Sequence, residues 1–207
     1  MKVVTPRQQD RINRILECTR QQIARLGYDG VNMRELALEA DVSTATLYNL
    51  FNSKDELILA ASQELLAGAN RISESAVGIG RVIKRHEAIA DTIVANPNYA
   101  EAMGRMLFAA DPSAPVVDQL IGQSKSVYEA ELDKMQKLGE LVAEVDVERL
   151  ARDLAGGGWS IILLWMKGFI ALHDFKVQYR GNAIALLLPW LTADLQSRYR
   201  TRTGVMR

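Results

Sequence analysis

Residues 31–57 read VNMRELALEADVSTATLYNLFNSKDEL, a stretch that carries three helix starts in fewer than thirty residues. Each start has a residue that can accept hydrogen bonds from the first amides of a helix, and two of them are followed by a glutamate at capping-box spacing. The capping residues are Asn32 with Glu35, Ser43, and Ser53 with Glu56. The spacing predicts two short helices joined by a tight turn at Asp41-Val42, followed by a third helix.

A longer helix precedes this stretch, because apolar residues before it recur at intervals of three and four. The stripe consists of Ile12, Ile15, Leu16, Thr19, Ile23 and Leu26, and Gly27 ends it. A long helix followed by two short ones is typical of a helix-turn-helix, which places its last helix in the major groove of DNA. The positions that would pack the helices together are Leu36, Ala37, Ala40, Val42, Leu47 and Phe51. Thr44, Ala45, Tyr48 and Asn49 would then face outward.

The rest of the chain predicts an all-α fold. Helical periodicity indicates helices at Ile79–Ala95, Pro97–Ala110, Val116–Leu138, Val147–Leu172 and Val177–Tyr199. Asn96-Pro97 and Asp111-Pro112 mark two breaks, since proline starts helices but disfavours helical geometry in the residue before it. We therefore expect a helix-turn-helix DNA-binding domain over residues 1–53. A connecting helix starts within 54–70, and a helical ligand-binding and dimerisation domain covers 71–207.

Composition excludes several classes of protein. The chain has 207 residues, 48% hydrophobic and 24% charged, which suits soluble globular domains. Its longest apolar stretch, Trp159–Leu172, is interrupted by Lys167 and falls short of the roughly 20 residues of a membrane span. Arginines in the first fourteen residues argue against a signal peptide, so we expect a cytoplasmic protein. A single cysteine, Cys18, with only two histidines offers neither a disulfide nor a zinc site, and no cofactor or metal is expected.

The charge is unevenly distributed although 25 basic residues balance 25 acidic ones. A local positive field is predicted at the start of the chain, from Lys2, Arg7, Arg11, Arg14, Arg20 and Arg25. A second basic cluster lies in the C-terminal tail, at Arg198, Arg200, Arg202 and Arg207. We interpret the tail as a solvated surface, because termini are often charged. His86 and His173 are interpreted as satisfied or exposed histidines rather than ligands.

Residues 31–37, 40–51 and 53–57 together resemble the signature of the TetR (tetracycline repressor) family of transcriptional regulators. The resemblance is strong over residues 8–62 and agrees with the remainder in length and helical content. It implies a repressor that binds a palindromic operator as a homodimer and is released by a small effector. Two positions depart from the family pattern: Asp41 replaces a frequent glycine in the turn, and Leu50 replaces a polar or aromatic residue. Aspartate tolerates left-handed geometry, so the turn should survive, whereas Leu50 either contacts thymine methyls or packs inward.

Carried over position by position, the resemblance assigns DNA contacts. It implies that Arg34 contacts a phosphate or base. The positions expected in the groove are Thr44, Ala45, Thr46 and Asn49. Tyr48 and Lys54 match positions that touch phosphate, Lys54 from a helix N-terminus where the dipole favours an anion. Ser43 joins them while capping its helix. The alternatives are that Tyr48 covers the small core and that Lys54 is merely exposed.

Two late helices carry more apolar surface than one packing stripe needs, and we expect a two-fold dimer interface there. The interface residues are Trp159, Leu163, Met166, Leu187, Trp190 and Leu191. The resemblance also implies a pocket for a mainly apolar effector, although most such apolar stripes are ordinary core. The candidate lining residues are Tyr99, Met103, Met106, Phe108, Tyr128 and Trp165. Gly156-Gly157-Gly158 lacks the preceding strand and the Lys-Ser/Thr of a phosphate loop, so close helix packing explains it better.

Three other functions compete with the ligand-released repressor. An activator of the same fold has the same sequence features, and only reporter expression separates the two. An enzyme with a helix-turn-helix-like N-terminus lacks support, because no nucleophile-histidine set, acidic metal cluster or glycine-rich loop after a strand is present. A purely structural dimer predicts no salt-dependent binding to DNA, whereas a regulator loses affinity as salt rises.

Overall fold

The computed structural model describes residues 5–73, 76–109 and 115–200, and over these residues the fold is helical. The helices run in the order α1 (Pro6–Leu26), α2 (Met33–Glu39), α3 (Thr44–Leu50), α4 (Lys54–Ser73), α5 (Gly78–Ala95), α6 (Pro97–Ala109), α7 (Pro115–Lys137), α8 (Val147–Met166), α9 (Phe175–Leu187) and α10 (Ala193–Arg200), with a 3-10 turn at Leu188–Trp190 between the last two. The all-α prediction is therefore confirmed. Lys2, the break at Asp111-Pro112, Arg202 and Arg207 lie outside the described residues.

The chain forms two compact units, and the first contains the predicted helix-turn-helix. It comprises Met1–Leu65 together with Asn96–Gln119. Helix α1 packs on α2, and α2 on α3, as the apolar pattern predicts. Fully buried side chains on these helices include Ile15, Leu36 and Leu47. The unit also includes α6, which packs on α1, whereas the domain boundaries predicted from sequence place that segment in the C-terminal domain.

The second unit comprises Leu66–Ala95 and Leu120–Arg207. Helix α9 is central to it, because α5 and α8 both pack on α9. A single buried cluster joins side chains of α5, α7, α8, α9 and α10, and it includes Val82, Leu132, Met135, Leu154 and Leu187.

The prediction of one continuous helix over Val177–Tyr199 is wrong, because the structure interrupts it in the middle. Pro189 lacks the amide that would continue the α-helical ladder, and the chain passes through the 3-10 turn into an extended residue, Leu191. Leu191 forms an isolated antiparallel bridge with Leu141, supported by a 3.0 Å hydrogen bond from the Thr192 amide to the carbonyl of Glu140. The loop after α7 and the end of α9 are held together in this way.

Helix α8 also ends earlier than predicted, at Met166 rather than Leu172. Gly168 has φ of +79°, which favours glycine, and it closes the helix. The amide of Gly168 donates to the carbonyl of Trp165, and that of Phe169 donates to Leu164. Both bonds belong to a Schellman motif, which ends the helix although the following residues are apolar.

Two of the three consecutive glycines of α8, Gly157 and Gly158, lie where this helix packs on α9. A Cβ on Gly158 would stand 2.8 Å from the Tyr179 hydroxyl, and one on Gly157 would stand 2.7 Å from Leu186 Cδ1. A Cβ on Gly156 would meet nothing within 4 Å. Close helix packing is therefore confirmed as the reason for Gly157 and Gly158, whereas Gly156 lies on the exposed side.

We expect Gly158→Ala to lower the free energy of unfolding by about 1–3 kcal/mol, because Tyr179 is buried and cannot move away from the added methyl group. Gly156→Ala is the matched control on the same helix. It should raise the free energy of unfolding by up to about 1 kcal/mol through helix propensity alone. Chemical denaturation of both variants measures the difference, and equal effects would contradict the packing explanation.

Candidate nucleic-acid interface

Helix α3 presents its predicted outer face to solvent. Ala45, Tyr48 and Asn49 are exposed, with Tyr48 48% accessible, and Thr44 is half-buried. Leu47, on the opposite side, is fully buried. The division between inner and outer positions of this helix is therefore confirmed, and the interpretation that Tyr48 covers the small core is wrong. Leu50 is 41% exposed, so it does not belong to the buried core.

The predicted caps are present, with two differences in their second hydrogen bonds. Asn32 Oδ1 accepts from the amide of Arg34 at 2.9 Å, as predicted. The amide of Asn32 donates to Gln22 Oε1 of α1 at 3.4 Å rather than to Glu35. A tertiary contact thus takes the position that the capping box gives to glutamate.

Ser43 and Ser53 cap their helices as predicted. Ser43 Oγ accepts from the amide of Thr46 at 3.1 Å and lies 2.8 Å from the Thr46 hydroxyl. Ser53 Oγ accepts from the amide of Glu56 at 3.1 Å. The Glu56 carboxylate accepts from the Asn52 side chain at 2.8 Å, and so it does not complete the predicted box.

Lys54 occupies the first position of α4, where the helix dipole favours an anion. Its ammonium lies 4.6 Å from the centre of the Tyr28 ring and 3.4 Å from the carbonyl of Asp29. The Tyr28 hydroxyl donates to the carboxylate of Asp55. Burial is the main cause that raises the pKa of Tyr28 to about 12, and the Asp55 carboxylate acts in the same direction. Tyr28 is therefore a neutral, fixed platform under Lys54, which local sequence patterns do not reveal.

The arginines of α1 do not all contribute to an open positive field. Arg20 contacts Glu17 and Glu64 at 2.7 and 2.6 Å, and Arg25 contacts Glu39 at 2.8 Å. Arg14 donates to the carbonyl of Ala40 at 2.9 Å. Arg14 and Arg25 stay exposed despite these contacts, and Arg7 and Arg11 are exposed as well. Arg34, at the start of α2, is exposed as well.

The turn between α2 and α3 is closed by Asp41 in left-handed geometry. Its φ is +52°, and no other non-glycine residue in the described ranges has a positive φ. The Asp41 amide donates to Leu38 and the Val42 amide to Ala37, at 3.1 and 2.9 Å. This pair of bonds is a Schellman motif with aspartate in place of the usual glycine. The prediction that the turn survives the departure is confirmed.

We expect Asp41→Gly to raise the free energy of unfolding by about 0.5–1 kcal/mol, because glycine adopts this φ without steric cost. Asp41→Ala should lower it by about 1 kcal/mol, since alanine lacks the tolerance of aspartate for the left-handed region. Denaturant titration of the two variants checks the opposite signs. A stabilising alanine would contradict the interpretation.

The residues predicted to line an effector pocket fall in both units. Tyr99, Met103 and Met106 are buried in the first unit, where the Tyr99 hydroxyl lies 2.8 Å from that of Ser62. Phe108 belongs to the same unit and is 45% exposed. Tyr128 is buried in the second unit, and Trp165, half-buried there, makes an edge contact with Phe175. An effector role for these six residues remains a prediction.

His86 lies at the centre of a buried aromatic cluster in the second unit. Its Nδ1 is 2.9 Å from the carbonyl of Val82, and its Nε2 is 3.1 Å from the Tyr128 hydroxyl. Burial lowers its pKa to about 4, and the neighbouring Arg85 acts in the same direction. The ring is therefore neutral, with Nδ1–H donating to Val82 and the Tyr128 hydroxyl donating to Nε2. This confirms the interpretation of His86 as a satisfied histidine, and His173 is exposed.

We expect stability to fall as the pH falls from 7 to 5, because the pKa of His86 is lower in the folded state than the usual value of about 6.5. The unfolded chain then takes up the proton first, so the contribution is present above the unfolded pKa and is lost toward the folded one. His86 alone should account for about 2 kcal/mol between these pH values. The measurement is the free energy of unfolding at both pH values for the wild type and His86→Gln. An equal loss in both proteins would contradict the assignment.

The predicted dimer surface is only partly available. Leu187 and Leu191 are fully buried in the core cluster of the second unit, so their assignment to a surface between subunits needs correction. Trp159, Leu163, Met166 and Trp190 are half-buried and retain accessible surface. Apolar periodicity selects core and interface residues alike, which is why the sequence did not separate them.

The described residues also bear on membrane spans and metal sites. No helix there is long and apolar enough to cross a membrane. In the same ranges, His, Cys, Asp and Glu form no group of three that could hold a metal ion.

Comparison with known proteins agrees with this geometry. The profile of "Bacterial regulatory proteins, tetR family" matches residues 15–61. The HTH-type transcriptional repressor KstR of Mycobacterium tuberculosis is 27% identical over 171 residues, covering 77% of this chain and 72% of that protein. KstR of Rhodococcus jostii is 33% identical over 118 residues, covering 55% of each chain.

Structural comparison shows the same fold. A TetR-family transcriptional regulator from Rhodococcus sp. superposes with a TM-score of 0.71 at 17% identity, covering 86% of this chain and 98% of that one. The capped, outward-facing α3 and the helical second unit define a DNA-binding transcriptional regulator. Residues 15–61 therefore match the DNA-binding segment of the TetR family, whose members bind DNA and act as dimers.

Proposed function

We propose that this protein is a repressor that binds a palindromic operator as a homodimer and is released by a small, mainly apolar effector. The observation that supports DNA reading most directly is the exposed outer face of α3 beside a left-handed turn of the helix-turn-helix. The DNA contacts would come from Arg34, Ser43, Thr44, Ala45, Thr46, Tyr48, Asn49 and Lys54. Repression is supported by the similar KstR proteins, which are named as repressors. The protein would act in the cytoplasm, by binding rather than by turnover.

The experiment that tests DNA reading is selection of genomic fragments by the purified chain. A repressor dimer of this kind selects an inverted repeat whose half-sites are about 34 Å or a little more apart, close to one turn of DNA. Affinity for that repeat should fall steeply as salt rises from about 50 to 200 mM. Fragments without a shared repeat, or binding insensitive to salt, would contradict the proposal. Reporter expression with and without the gene then separates a repressor from an activator.

The dimer is supported by apolar side chains that keep accessible surface in the second unit, among them Trp159 and Leu163 of α8. Leu163→Glu should convert the dimer to a monomer, because a charge buried at an interface without a partner is strongly unfavourable. Leu138→Glu, at an exposed leucine outside this surface, is the matched control. Sedimentation velocity separates the two outcomes, and a dimer in both variants would place the pairing surface elsewhere.

Release by an effector follows if the ligand prefers a conformation that does not fit the operator. The support is compositional, because each unit contains aromatic side chains of a kind that suits apolar ligands. A panel of apolar small molecules should include compounds that raise the melting temperature of the protein and release it from the selected repeat. Stabilisation without release would contradict the coupling between the two sites.

A further inference from the structure

Arg14, a side chain of α1, contacts the turn between α2 and α3. Its Nε–H donates to the carbonyl of Ala40 at 2.9 Å, and Ala40 is the C-cap residue of α2. Carbonyls at the end of a helix have no partner within the helix and need one from elsewhere. Arg14 supplies that partner from a position 26 residues earlier in the chain.

The same guanidinium also lies beside the strained residue of the turn. Arg14 Nη2 is 4.0 Å from the carboxylate of Asp41, the residue with φ of +52°. A residue other than glycine is disfavoured in the left-handed backbone region, and it keeps that conformation only where neighbouring contacts stabilise it. Arg14 thus contacts both residues through which the chain leaves α2.

This turn decides the direction of α3. Ser43, the N-cap of α3, follows Asp41 after one residue, and α3 carries the exposed face that would enter the groove. We propose that Arg14 is a positioning residue for DNA binding, which orients α3 by holding the turn and does not act through its charge on the phosphates. The inference rests on the proposed function, and it assigns to Arg14 a role different from that of the exposed Arg11 on the same helix.

The test combines removal of Arg14 with relief of the strain that it offsets. Arg14→Ala should weaken binding to the inverted repeat selected by the wild type about tenfold, as expected for a lost hydrogen bond to a charged group. Adding Asp41→Gly should restore affinity to within about threefold, because glycine holds the turn without help. Arg105→Ala removes the same charge from a side chain on α6 that is 73% exposed, and it should change affinity less than about twofold. Affinity is measured by fluorescence anisotropy at several salt concentrations.

The slope of affinity against salt gives the outcome that would overturn the inference. Loss of a phosphate contact reduces the slope by about one unit, and Asp41→Gly would not restore it. If Arg14→Ala shows that reduced slope without rescue, or binds as tightly as the wild type, Arg14 is not a positioning residue.

A measurement without DNA separates this inference from the proposed function. Hydrogen exchange at the amides of Asp41 and Val42 should be faster in Arg14→Ala and slower again in the double variant. Unchanged exchange in Arg14→Ala would overturn the inference even if the protein binds DNA. A wild type that selects no DNA would instead overturn the proposed function, while faster exchange would still show that Arg14 holds the turn.

Discussion

Phe175→Ala should lower the free energy of unfolding by about 3–5 kcal/mol, the range for removing a fully buried aromatic side chain. Phe175 begins α9 with no accessible surface. Its ring centroid is 5.4 Å from that of Tyr179 and 5.7 Å from that of Trp165. Alanine would remove both ring contacts and leave a cavity that the neighbouring helices cannot fill completely.

Phe169→Ala is the matched control, since it deletes the same atoms near the end of α8 from a side chain that is 79% exposed. Its free energy of unfolding should stay within about 0.5 kcal/mol of the wild type. Both variants are compared by urea denaturation at one protein concentration. A loss below about 1 kcal/mol for Phe175→Ala would show that the aromatic cluster collapses into the vacated space.

The helix-turn-helix could be predicted from sequence because its signals are local. Asn32, Ser43 and Ser53 accept hydrogen bonds from amides two or three residues later, and such contacts follow from spacing alone. The outer face of α3 also follows from spacing, since Leu47 fixes which side is buried.

The supporting contacts of the same unit could not be predicted, because they join residues far apart in sequence. Gln22 replaces Glu35 at the amide of Asn32, and Arg14 reaches the carbonyl of Ala40. Tyr28 meets Asp55 across 27 positions. The positive field expected from α1 is reduced for the same reason, since Arg20 and other basic side chains find acidic partners only after the helices pack.

In the second unit, apolar periodicity predicts two helices that are longer than those in the structure. Gly168 and Pro189 both carry local signals for a helix end, yet the apolar residues around them favoured continuous helices. Core and interface residues of this unit could not be told apart from sequence either, because an apolar stripe has the same spacing whether it packs on the core or on a second subunit. Leu187 and Leu191 prove to be core, and Trp159 keeps accessible surface.

Tyr48→Ala should weaken DNA binding about tenfold to a hundredfold, the effect of losing a hydrogen bond to a charged phosphate. The fold should be unaffected because Tyr48 is 48% exposed, so the free energy of unfolding should stay within about 0.5 kcal/mol of the wild type. Tyr48→Phe removes only the hydroxyl and should weaken binding as much as alanine does. Leu26→Ala, at a side chain that is 45% exposed on α1, should leave affinity within about twofold. Fluorescence anisotropy with the selected repeat measures all three, and if Tyr48→Phe binds as tightly as the wild type, the hydroxyl does not contact the phosphate.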